Sequence, residues 1–182
     1  FASNYAFAQK PSDLIKEVVD GASRILSSSD PVEAKIINLN DLAEDNVDIN
    51  RIAKYTLGKH RKTISDEEIN KYFKLYKKYF LKNFSSRLID YTNPEIIIVD
   101  ENVINENFTI VNTVLEATSK NPELKISWRV ITKNPNKPLI LDLLIEGLSL
   151  AKAQKEEFNS IIKNNDGDIK ALFKVMEEYI IK

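Results

Sequence analysis

The sequence predicts an α+β fold: N-terminal helices and a long amphipathic helix packed on a curved antiparallel sheet of about four strands, with C-terminal helices after it. Three observations lead there. Apolar residues recur at helical spacing from residue 12 to about 91, change to strand-like runs between 96 and 145, and return to helical spacing afterwards. The turns between the strand-like runs are short, which implies antiparallel hairpins. Of the 182 residues 43% are apolar and 29% charged, enough apolar surface to bury an interior. Helices and strands segregated along the chain in this order give an α+β architecture.

The first helix is predicted from a Ser12 cap to about Ser28, with Leu14, Val18, Gly21, Ala22, Ile25 and Leu26 on one stripe. Asp30-Pro31-Val32-Glu33 reads as the next start: a capping Asp, Pro at the first helical position, and a Glu that reaches back to the cap. That helix runs to about Glu44. Asp48 opens a third in which Ile49, Ile52, Ala53, Thr56 and Leu57 share a face, and Gly58 supplies a left-handed stop. Ser65-Asp66-Glu67-Glu68 is a capping box. It precedes the longest periodic stretch, Ile69, Phe73, Tyr76, Phe80, Phe84 and Leu88, which ends near Tyr91 before Thr92-Asn93-Pro94.

The period then changes. Ile96-Ile97-Ile98-Val99 is apolar on both faces, and Phe108 to Ala117 is rich in β-branched residues. Leu124, Ile126, Trp128 and Val130 alternate with Lys125, Ser127 and Arg129, as in a strand with one buried face. Asn134-Pro135-Asn136-Lys137-Pro138 is a turn, and Leu139 to Ile145 is nearly all apolar, as in a central strand. Gly147 and Ser149 return the chain to helix, with Leu150, Ala153, Phe158, Ile161 and Ile162 facing inward. Asp168 caps a last helix carrying Leu172, Phe173, Met176 and Ile180.

The composition excludes much chemistry. No cysteine means no disulfide framework, thiolate zinc site, iron–sulfur cluster or Cys nucleophile, and the single His60 excludes any site needing two imidazoles of this chain. His60 lies among Lys59, Arg61 and Lys62 without a carboxylate nearby in sequence, so a solvent-facing position is favoured over a catalytic base. Asn164-Asn165-Asp166-Gly167-Asp168 fails as a calcium loop, because placing Gly167 sixth puts Ile162 first and Phe173 twelfth. Asp142 and Glu146 lie on one face of a predicted strand, as paired acid–base carboxylates can, although a rim or helix-capping role is commoner. With four glycines there is no phosphate-binding loop and no nucleophile elbow. No metal or cofactor is expected.

Phe1-Ala2-Ser3-Asn4-Tyr5-Ala6-Phe7-Ala8 is apolar, uncharged and ends small-x-small before Gln9-Lys10-Pro11-Ser12. It reads as the tail of a secretory signal peptide cut after Ala8, with a frayed terminus as the other reading. The expected organisation is residues 1–8 as that remnant and 9–182 as a single domain. No run approaches the roughly 20 apolar residues of a spanning helix. The net charge of −1 removes the global field expected of a nucleic-acid binder. Residues 59–91 nevertheless carry nine cations against four carboxylates, a local +5. Its cations, interleaved with Tyr72, Phe73, Tyr76, Tyr79 and Phe80, suit an anionic headgroup; its aromatics fit a core face.

The ordered motifs resemble the MlaC family of periplasmic phospholipid-binding proteins, also called the toluene-tolerance auxiliary family. Asp48 to His60 is similar to its Asp-apolar, Ala and Leu-Gly segment, and Phe73 to Tyr91 to its aromatic-rich helix ending in Tyr. The clearest likeness is Asp142-Leu143-Leu144-Ile145-Glu146-Gly147-Leu148-Ser149-Leu150 with Phe158 further on. It departs from the family's pattern at Leu139, where a Trp is usual, and at Gln154-Lys155, where Tyr-Arg is usual. The resemblance implies an MlaC-like fold of NTF2-like character, with an apolar cavity between sheet and helices. It implies a monomeric periplasmic carrier of a Gram-negative bacterium, with phospholipid as cargo. Its implied partners are an outer-membrane Mla lipoprotein complex and an inner-membrane Mla transporter, in an Mla-type system of outer-membrane lipid asymmetry.

The physics of such a carrier is demanding. A diacyl lipid with roughly 30 methylenes costs on the order of 24 kcal/mol to expose to water, at about 0.8 kcal/mol per methylene. A carrier therefore needs a dry cavity and no catalytic group. The expected lining is Phe73, Tyr76, Phe80, Phe84, Leu88, Val111, Leu115, Trp128, Val130, Leu143 and Ile145; a packed core gives the same periodicity. Two other readings stand beside it: a ligand-free interaction module docking through the basic helix 59–91, and, less favoured, an enzyme using Asp142 or Glu146 as base.

Overall fold

The computed structural model describes residues 8–91 and 95–182; the residues of the expected signal-peptide tail up to Phe7, and Thr92-Asn93-Pro94, lie outside the described residues. The described chain forms helices α1 (Pro11–Ser27), α2 (Val32–Asn46), α3 (Ile49–Leu57), α4 (Asp66–Leu88), α5 (Leu150–Lys163) and α6 (Ile169–Ile181), with a 3-10 turn at Gly58–Lys62. Strands β1 (Ile96–Asn105), β2 (Phe108–Leu115), β3 (Leu124–Ile131), β4 (Leu139–Ile145) and β5 (Leu148–Ser149) make an antiparallel meander in sequence order. The expected α+β order is correct, with a two-residue fifth strand added. Register shifts in β1 and at Arg129/Val130 bend the strands and increase their twist.

Several boundaries differ from expectation. Lys10, not Ser12, occupies the cap position of α1, because Pro11 fits the first helical position, where its missing N–H costs nothing. The Ser12 backbone N–H instead donates to Glu101 Oε2 on β1 at 2.8 Å. Asp30 does not cap α2; it accepts from Ser28 Oγ while Pro31 stands at the cap. Three start signals hold: Asp48 Oδ1 accepts the Arg51 N–H at 2.9 Å, Ser65 and Glu68 form the reciprocal capping box of α4, and Asp168 Oδ1 accepts the Lys170 N–H at 2.9 Å at the start of α6. β1 runs on to Asn105, and Ile97 and Val99 are exposed, since among the described residues nothing covers that face of an edge strand. In α5 the buried positions are Ala151, Phe158 and Ile162, whereas Leu150 and Ala153 are exposed.

Two apolar cores result. The helical core joins Ile49, Ile52, Ala53 and Leu57 of α3, the tyrosines of α4, Phe158 and Ile162 of α5, and Leu172, Phe173 and Met176 of α6. The sheet core joins Val111, Leu115, Ile126, Trp128, Val130 and Ile140 to Leu14, Ile15 and Val18 of α1. The sheet is thus covered by α1, not by the long helix α4, which packs chiefly on α6, α2 and α3. Val47, between α2 and α3, touches both cores: it bridges to Ile140 of β4, whose carbonyl accepts the Asp48 N–H at 2.9 Å. Among the described residues no helix is long and apolar enough to cross a membrane.

Candidate functional site

α4 carries an aromatic ladder at four-residue spacing. Ring centroids lie 5.7 Å apart for Tyr72 and Tyr76, 6.2 Å for Tyr76 and Phe80, and 6.3 Å for Phe80 and Phe84, the last pair within 6° of parallel. The ladder changes environment along its length. Tyr72 and Tyr76 are wholly buried in the helical core, and their hydroxyls are satisfied by Thr56 Oγ1 at 2.8 Å and by Gln154 Oε1. Burial, opposed only in part by those hydrogen bonds, pushes both phenols well above the ordinary tyrosine value, and Tyr79 is raised for the same reason. Phe80 and Phe84, by contrast, are half-buried, as is Leu88 one turn beyond.

The inner sheet face is closed over its middle. Val111, Leu115, Trp128 and Val130 are buried, and the Trp128 indole N–H donates to Thr113 Oγ1 at 2.9 Å, whose hydroxyl donates to the Ile126 carbonyl at 3.0 Å. Leu143, cross-strand to Trp128, is half-buried against this core. The expected contact residues therefore divide. Phe73, Tyr76 and Phe80 belong to the helical core, Val111, Leu115, Trp128, Val130 and Leu143 to the sheet core, and Phe84, Leu88 and Ile145 are half-buried members of neither. There are two surface concavities: one of about 280 Å³ on the outer face of the sheet at Ile104, Phe108, Ile110 and Arg129, and one of about 320 Å³ beside the start of α1, at Pro11, Glu101, Thr109 and Pro135. Neither includes an expected contact residue.

The other candidates are occupied structurally. His60 Nε2 is 2.9 Å from Asn159 Oδ1, a partner that holds the 3-10 turn against α5. Asp142 is buried; its Oδ1 accepts the Ala151 N–H at 3.0 Å and its Oδ2 the Ser149 hydroxyl. Glu146 sits at φ +49 in the two-residue turn before β5, and its Oε1 accepts the Lys125 N–H at 2.6 Å. Both carboxylates are thus tied to backbone donors. Asp168 caps α6, with Gly167 at φ +82 making the turn between helices. Among the described residues no group of three or more potential metal ligands converges.

The basic helix is partly neutralised. Lys71 pairs with Glu177 at 3.0 Å and lies 5.0 Å from the Phe173 ring centroid, and Lys77 pairs with Glu44 of α2 at 2.6 Å. Lys59, Arg61, Lys62, Lys74, Lys78 and Lys82 make no ion pair among the described residues.

Sequence reasoning passed over one group: Asn40 of α2, whose Oδ1 is buried and accepts no hydrogen bond among the described residues. Its only sequence signal is a polar residue beside Leu39 on the helix face that also holds Ala43.

Comparison with known proteins agrees with this architecture. No protein with a curated description matches by sequence. A phospholipid-binding protein from Ralstonia solanacearum, solved in complex with a phospholipid, is 17% identical and superposes with a TM-score of 0.79 over 95% of this chain and 98% of that one. The family model described as MlaC protein matches residues 16–178, nearly all of the described chain, and the protein belongs to the MlaC family.

Proposed function

We propose that this chain is a phospholipid carrier that shelters acyl chains from water and does no catalysis. The observation that carries the reading is the likeness, over 95% of the chain, to a protein whose structure holds a phospholipid, joined to membership of the MlaC family. The proposed cargo site is the seam between the two cores. There Phe84 and Leu88 of α4 and Ile145 of β4, half-buried and outside both cores, supply the apolar surface, flanked by Phe80 and Leu143, half-buried at the edges of the helical and sheet cores. Phe73, Tyr76, Val111, Leu115, Trp128 and Val130 form the walls behind it. A seam bounded by two separately packed cores opens at less cost than a single core, since each half keeps its own interior.

The wider role is shuttling phospholipid across the periplasm between outer-membrane and inner-membrane complexes of an Mla-type system, with bound lipid as cargo and no cofactor. Organic extraction of the purified protein followed by mass spectrometry tests the binding step. Stoichiometric phospholipid, or its uptake from vesicles by extracted protein, is the expected result. Folded protein that holds no lipid and takes none up overturns the carrier reading and leaves the unpaired lysines of the basic helix as a docking surface instead.

A further inference from the structure

We propose that β1 is a docking strand: its free edge takes up an extended segment of a partner protein whose side chains alternate between basic and large apolar. This goes beyond the carrier reading and does not depend on it. β1 pairs with β2, and along its other side its backbone N–H and C=O groups meet no strand among the described residues. Such an edge is a template for another strand, and soluble proteins commonly blunt it with Lys or Pro. β1 has neither; its only charges are Asp100 and Glu101. Ile97, Val99, Val103 and Ile104 along it are 51% to 71% exposed. The register shifts bracket residues 100–103 as a stretch of regular pairing that an added strand can follow.

The two concavities flank the end of this stretch on opposite faces of the sheet. Val103 and Ile104 are neighbours in β1, yet Val103 lines the concavity beside α1 and Ile104 the one on the outer face. An added strand alternates faces in the same way, so its successive side chains reach one concavity and then the other. The one beside α1 has the carboxylates of Glu101 and Glu106 at its rim, against the single cation of Lys10. Glu101 already accepts the Ser12 N–H, which leaves the exposed Glu106 as the freer charge. The outer one is walled by Ile104, Phe108 and Ile110, and the Arg129 guanidinium there repels a cation. Basic side chains therefore suit the first and apolar ones the second. Charge over the whole hairpin points the same way: residues 95–117 hold five carboxylates, Glu95, Asp100, Glu101, Glu106 and Glu116, and no Lys or Arg. The same charges argue against a second copy of this chain as the occupant, because two such hairpins paired edge to edge bring like charges together.

The probe is a blocked synthetic peptide of alternating lysine and leucine, as long as β1, titrated into the purified chain and followed by NMR of the backbone amides. Shifted amide signals and slowed hydrogen exchange over Ile96–Asn105 are expected, and neither with a peptide carrying glutamate in place of lysine. N-methylation of every second peptide residue is expected to abolish binding in one phase and spare it in the other, because only alternate N–H groups of a strand point at a given neighbour. Val103→Lys, at a position 71% exposed, is expected to weaken binding roughly threefold to tenfold without lowering the melting temperature. Glu106→Gln is expected to give a smaller loss, and Ile181→Lys, the same added charge at an exposed site on α6, none. A peptide that leaves the β1 amides unshifted overturns the proposal. So does binding that survives both N-methylated forms, that the glutamate peptide matches, or that Val103→Lys leaves unchanged. A protein that self-associates and that Val103→Lys returns to a monomer shows the edge to be taken by a second copy, and overturns it equally. If Val103→Lys does not fold, Glu106→Gln and the N-methylated peptides pose the same question.

Discussion

The Asp142 carboxylate on β4 accepts the backbone N–H of Ala151 at 3.0 Å, so a buried charge in the sheet caps the first turn of α5. Its other oxygen accepts a hydrogen bond from the Ser149 hydroxyl, whose oxygen itself accepts the Lys152 N–H at 3.0 Å. One carboxylate thereby fixes the angle at which the chain leaves the sheet and enters the helical core. It also meets the positive end of the helix dipole.

Removing this cap should cost stability and nothing else. Asp142→Ala strands the Ala151 N–H and the Ser149 hydroxyl and is expected to cost on the order of 3 kcal/mol in denaturant unfolding; Asp142→Asn, which keeps an acceptor, about 1 kcal/mol. Lipid bound per folded molecule should stay at the native level in both. A large loss of bound lipid in a well-folded Asp142→Asn would place this carboxylate in the cargo site.

Alkaline unfolding should report the buried tyrosines. Tyr72, Tyr76 and Tyr79 all have folded pKa values raised by burial, so the unfolded chain ionises first, near 10. The stability they contribute is fully present below that pH and is lost as pH rises above it, by up to about 1.4 kcal/mol per pH unit for each group. Stability measured by urea titration should be flat from pH 7 to about 9.5 and then fall steeply. Tyr72→Phe should make the fall shallower by about one third. Phenolate absorbance from these rings should appear with unfolding; its appearance in the native state at lower pH would contradict their burial.

The tyrosines also mark where sequence reading stops. The α3 face was legible residue by residue, because Ile49, Ile52, Ala53, Thr56 and Leu57 form one stripe between an Asp cap and a Gly stop. On α4 two rows overlap: hydrophobicity favours Phe73, Tyr76, Phe80 and Phe84, whereas the fold buries Tyr72, Tyr76 and Tyr79 and leaves Phe73 and Phe80 half-buried against the same core. The hydroxyls of Tyr72 and Tyr76 are satisfied there by Thr56 on α3 and Gln154 on α5, whose approach no local pattern encodes. The same holds for the candidate site. The apolar character of the expected residues is legible, but their division between two cores depends on α1, not α4, covering the sheet.

Gly58 should tolerate no side chain. It ends α3 at φ +57 and ψ −130, and a Cβ there would lie 3.0 Å from Lys155 Cε. Gly58→Ala is expected to cost about 1–3 kcal/mol, most of it backbone strain, since the lysine can move. Gly147→Ala, at φ +80 with open space around it, carries only the milder left-handed penalty of about 1 kcal/mol. Equal melting temperatures for the two variants would contradict this ranking.

The sharpest test of where cargo sits compares two sheet positions that sequence alone treats alike. Val130 is wholly buried between Ile140 and α1, so Val130→Trp overpacks a filled interior and should cost about 3 kcal/mol or prevent folding. Ile145 is half-buried at the end of β4, outside both cores. Ile145→Trp has room to turn toward solvent or into the seam and should cost less than about 1 kcal/mol. If acyl chains occupy the seam, Ile145→Trp fills part of their volume, and lipid uptake per folded molecule should fall several-fold at nearly native stability. Loss of stability without loss of uptake at Ile145 would instead show that this end of the sheet is interior, and that the cargo lies elsewhere.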